Sequence, residues 1–120
     1  MNPKLSHYEK LLYLNQELFA MIETQVPIRL LEHVYVGMPK ERQELLNKNR
    51  FYYQLITQLI KEGQQKGEFD RKESAEALAD TYASLERGLT YDWCVKGGAG
   101  SLSAKGQKIL SIYLKEAVAQ

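Results

Sequence analysis

Cysteine is almost missing from this sequence: Cys94 is the only one in 120 residues. A lone thiol excludes an intramolecular disulfide and any cysteine-cluster metal site, and it accords with a reducing, cytoplasmic setting. Proline is scarce too. Pro3, Pro27 and Pro39 leave every other stretch free to run as helix, and a chain rich in Leu, Glu, Lys, Gln and Ala favours that state. Charge of one sign is lacking, since 16 basic and 15 acidic residues are interleaved to a net +1. No basic patch results, so direct nucleic-acid binding by this chain is not expected. No run approaches the roughly 18 apolar residues of a membrane span, and the first ten residues lack the apolar core of a signal peptide. Histidine stops at His7 and His33, which fall on separate predicted helices without a His-Glu-x-x-His spacing. Each reads as a surface or satisfied structural residue rather than a metal ligand.

What is present is helical periodicity, in five segments that form a single all-α domain over residues 1–120. The first helix opens either at Asn2-Pro3 or at the capping box Ser6 to Glu9. Leu5, Tyr8, Leu12, Phe19, Ile22 and Val26 make one apolar stripe, with Leu11, Leu14, Leu18 and Met21 beside it. Asn15 falls inside the first stripe, where a polar side chain must find a partner or cost on the order of 1 to 3 kcal/mol. Pro27 ends this helix. A short helix over 27–35 with Ile28, Leu31, Val34 and Tyr35 inward stops at Gly37, and Pro39 opens the third, over 39–64. In the third, Leu45, Asn49, Tyr52, Ile56, Leu59 and Gly63 recur at three- and four-residue steps.

A corner follows, with Gly63 and Gly67 as the stop and Asp70 with Glu73 as a variant capping box. The fourth helix, from residue 70 or 71 to about 96, carries a bulky stripe of Leu78, Tyr82, Leu85, Leu89 and Trp93. Beside it runs a mostly small stripe: Ala77, Thr81, Ser84 and Gly88, ending in Tyr91 and Val95. A helix apolar on two adjacent faces needs two neighbours. The bulky face suits the chain's own core, and the small face suits close approach of a helix from a second copy. After the flexible Gly97-Gly98-Ala99-Gly100-Ser101, a final helix capped by Ser101 or Ser103 runs to about residue 117. Leu102, Gly106, Ile109, Tyr113 and Ala117 form one of its stripes, and Leu110, Leu114 and Val118 the other.

The run IKEGQQKGEF from Ile60, the small-residue helix after it, the pair Gly88-Leu89 and then Trp93 resemble the ligand-binding and dimerisation domain of the TetR family of bacterial transcription regulators. The likeness covers about residues 45–114 and reaches more loosely back to Leu5. It implies a five-helix antiparallel bundle whose last two helices form a four-helix bundle with their twins, through Ala77, Thr81, Ser84, Gly88, Tyr91, Ile109 and Tyr113. It also implies an effector cavity among the first four helices. Nothing in these residues corresponds to the helix-turn-helix head of that family, so the DNA-reading head is expected to be missing.

Catalysis finds no support in the letters. The glycine loop before Lys105 lacks the order Gly-x-x-x-x-Gly-Lys-Ser/Thr of a phosphate cradle, and Ser101 and Lys105 are four apart rather than three. The acidic residues around the corner, Glu62, Glu68, Asp70, Glu73 and Glu76, are mixed with Lys61, Lys66, Arg71 and Lys72 and read as a solvated, self-neutralising surface. Neither enzymatic activity nor a cofactor is expected. The candidate effector contacts are Asn15, Phe19, Asn49, Tyr52, Ile56 and Tyr82, although aromatic residues at helical spacing are more often plain core. With few buried charges in view, the expected ligand is small and largely apolar. The expected function is effector sensing and homodimerisation in a cytoplasmic regulator, and the alternative is a stand-alone helical dimer that acts as an interaction module.

Overall fold

The computed structural model describes residues 5–25 and 39–118, with side chains for 5–24 and 51–118. Four helices make up this part: α1 His7–Gln25, α2 Pro39–Gln65, α3 Ala75–Val95 and α4 Leu102–Ala117. The short helix expected over 27–35 lies outside the described residues. Each helix packs against two others, α1 on α2 and α4, α3 on α2 and α4, so the core fills a ring of four. Among the described residues no helix is long and apolar enough to cross a membrane.

The helix ends follow local chemistry. Ser6 and Glu9 form the reciprocal capping box, the Glu9 amide donating to Ser6 Oγ at 3.1 Å and the Ser6 amide to Glu9 Oε1 at 3.5 Å. That fixes the start of α1. At the end of α2, Gly67 takes φ +78°, the Glu68 amide reaches back to the Gly63 carbonyl at 2.8 Å and the Gly67 amide to Gln64 at 3.2 Å. This is a Schellman stop, which needs a left-handed residue at Gly67 alone. Gly63 has another part: a Cβ there would lie 2.4 Å from the Phe69 ring, so its missing side chain is the seat of that phenylalanine.

The opening of α3 differs from the sequence expectation. Ser74, not Asp70, is the cap, its Oγ accepting from the Ala77 amide at 3.1 Å. Asp70 is engaged elsewhere, because its amide donates to the Ala117 carbonyl at 2.9 Å and its carboxylate takes the Lys72 amide at 3.2 Å. Phe69 also pairs with Val118 in an isolated antiparallel bridge. The corner is thus held extended against the end of α4, and the helix waits until Ser74. At the far end, Ser101 caps α4 by accepting from the Ala104 amide at 3.1 Å.

The core draws Leu11, Phe19 and Ile22 from α1, Ile56, Leu59 and Ile60 from α2, Leu78, Tyr82, Leu89 and Trp93 from α3, and Leu102, Leu110 and Leu114 from α4. Met21, assigned to an inward stripe by periodicity, is 42% exposed. At Gly106 the backbone of α4 lies against side chains of α1: a Cβ there would lie 2.5 Å from the Phe19 ring and 2.8 Å from Asn15 Oδ1. Ala gains about 1 kcal/mol of helix propensity over Gly, but overpacking a fully buried ring costs about 1 to 3 kcal/mol. Gly106→Ala is therefore expected to lower the thermal midpoint by several degrees in a calorimetric scan. An unchanged or raised midpoint would mean that the ring has room to move.

Candidate functional site

The node at the centre of the ring is built from three helices. Asn15 of α1, fully buried, donates from Nδ2 to Glu86 Oε2 at 2.9 Å. Tyr52 of α2, half-buried, donates its hydroxyl to the same oxygen at 2.8 Å. Glu86 itself stands on α3 and is only 4% exposed. One turn before it, the fully buried Tyr82 donates to the Leu11 carbonyl at 2.9 Å. One turn after it, Thr90 Oγ1 donates to the Glu86 carbonyl at 2.9 Å.

Removal of a carboxylate from water disfavours its charged form, and here burial raises Glu86 to about 7. The hydrogen bonds from Asn15 and Tyr52 and the nearby charge of Arg87 pull the other way without cancelling it. Burial and then the charge of Glu86 push the Tyr52 and Tyr82 hydroxyls upward, so both remain donors throughout the physiological range.

Of the residues assigned to an effector cavity from sequence, Asn15, Tyr52 and Tyr82 are brought together around Glu86. Phe19 and Ile56 are fully buried core residues, with the Phe19 ring seated on Gly106. The Asn49 side chain lies outside the described residues. Glu86 was not foreseen; among the described residues it is the one buried carboxyl, in keeping with the expectation of few buried charges. The signal was in the spacing: Glu86 is four residues after Tyr82 and seven before Trp93, on the buried stripe. Asn15 was flagged by that same logic, and its partner is Glu86.

The corner acids also need correction. Glu68 is not simply solvated: its Oε1 accepts the His7 amide at 2.8 Å and its Oε2 meets His7 Nδ1, while Glu62 Oε2 lies 3.3 Å from His7 Nε2. His7 is 3% exposed, so it is a satisfied structural histidine. Burial alone would raise Glu68, yet the hydrogen bonds from the His7 ring and amide hold it below the usual carboxylate value. Glu62 is lowered chiefly by its bond from Gln58, with His7 adding to it. Among the described residues no group of three or more His, Cys, Asp or Glu side chains is arranged to hold a metal ion.

A cleft of about 270 Å³ lies between the end of α3 and the start of α4, bordered by Asp92, Trp93, Lys96 and Lys105. Its polar groups are spoken for. Asp92 pairs with Lys96 at 2.9 Å and Lys105 at 3.4 Å, and the Trp93 indole donates to the Gly100 carbonyl at 3.2 Å. The Ser103 amide at the start of α4 donates to Glu23 Oε1, a carboxylate where a phosphate would have to sit.

The dimer residues named from sequence divide. Ala77, Thr81, Ser84, Gly88 and Tyr91 are exposed along α3, whereas Ile109 and Tyr113 are half-buried against the core. Ile112, 58% exposed, presents the apolar surface of α4 that was not foreseen.

Fold and node together define an all-helical domain with a buried acidic centre. Beyond that class, no protein-family model, curated protein or solved structure matches the chain.

The raised Glu86 carboxyl has a sign. The folded chain keeps this proton to higher pH than the unfolded chain does, so stability falls as pH rises from about 4.5 to about 7 and levels off above that. The lowered Glu62 and Glu68 act in a separate window, giving stability that is lost as pH falls through the acid range below their ordinary values. Glu86→Gln keeps the shape and the acceptor oxygen without the charge, so it is expected to stabilise the fold near pH 8 by on the order of 2 to 3 kcal/mol and to flatten the decline. Urea titrations of both proteins across this pH range measure it. An equal slope in the two would exclude Glu86 as the titrating group.

Proposed function

We propose that this chain is the effector-sensing and dimerisation domain of a TetR-like transcription regulator, which binds a small, largely apolar molecule between its helices and passes the signal to a separate DNA-reading head. The observation that carries the reading is the double duty of α3. Its inner face holds the Glu86 node against α1 and α2. Two residues on, its outer face opens at Gly88, with Ala77, Thr81, Ser84 and Gly88 exposed and Tyr91 and Val95 50% and 66% exposed at the end of the stripe.

An effector that displaces a side chain at the node shifts the helix that also forms the seam between copies. A ligand moves such an equilibrium only by binding one dimer geometry more tightly than the other. In the parent regulator, the shift would alter the distance between two heads that must match successive major grooves about 34 Å apart. The resemblance in residues 45–114 supports the family, and the exposed apolar stripe supports the dimer.

Gly88 makes the test clean. A Cβ built there meets nothing within 4 Å, so Gly88→Leu leaves the subunit's packing intact and favours helix over glycine by about 1 kcal/mol. Light scattering is expected to give twice the chain mass for the wild type and the single chain mass for Gly88→Leu, with the same helical circular dichroism. A wild-type monomer at tens of micromolar, or a variant that stays dimeric, would contradict the seam.

A further inference from the structure

We draw no further inference here: the strongest candidate, the cleft between the end of α3 and the start of α4, has its charged groups already paired with one another, Asp92 with Lys96 and Lys105, and nothing in the structure points to a ligand in it.

Discussion

A carboxylate inside a core of leucine and aromatic side chains is the constraint on which the rest of this structure depends. Burial works against its charge more strongly than two neutral donors can offset, which pushes the carboxyl up to about 7. Those donors come from different helices. Asn15 belongs to α1, Tyr52 to α2 and Glu86 to α3, so the node fixes the register of three helices at one point. Apolar packing fills the same space without demanding such a match. Hydrogen bonds at 2.8 to 2.9 Å are stricter, and a half-turn rotation of any one helix would leave the carboxylate unsatisfied.

Polar ties of this kind recur along α1. His7 at its start is held by Glu68 and Glu62 of the corner, the Leu11 carbonyl by Tyr82, Asn15 by Glu86, and Gln16 and Glu23 by the main chain of Ser103. His7, Leu11, Asn15 and Phe19 are spaced at four, and all are buried, so this single stripe mixes polar and apolar residues. The helix is positioned by chemistry at nearly every turn. Gly106 completes the arrangement by letting the Phe19 ring lie against the backbone of α4. A change at the centre of the ring, where Asn15 and Glu86 meet, is therefore felt along α1 and α3 rather than absorbed by slack packing.

Much of this was legible in the letters, and the failures have physical reasons. Helical periodicity placed α2 within a residue of its observed ends and α4 at its observed last residue, with Ser101 the one of two candidate serines that caps it, because apolar stripes, capping serines and glycine stops act locally. Asn15 stood out as a polar residue on an apolar stripe. Glu86 obeys that pattern equally, but a carboxylate between Leu85 and Arg87 reads as surface until the helix phase is taken strictly. Asp70 was a plausible cap for α3, and it lost to Ser74 because the Ala117 carbonyl, 47 positions along the chain, claims its amide. Glu68 and His7 are 61 residues apart, and their pairing follows only from the closure of the ring. Local chemistry can be read from a sequence, whereas pairs that tertiary closure brings together cannot. The outer stripe of α3 is intermediate: its exposure follows from helix phase once the inner face is known, and the identity of its neighbour rests on the reading of α3 as a seam.

The most direct measurement is a carbon-detected NMR titration of the Glu86 side-chain carboxyl in the folded wild-type chain, assigned by comparison with Glu86→Gln. A carboxylate sealed among Asn15, Tyr52 and Tyr82 should titrate with a midpoint near 7. A midpoint near the ordinary 4.5 would show that water reaches the carboxylate, and the buried node would be contradicted.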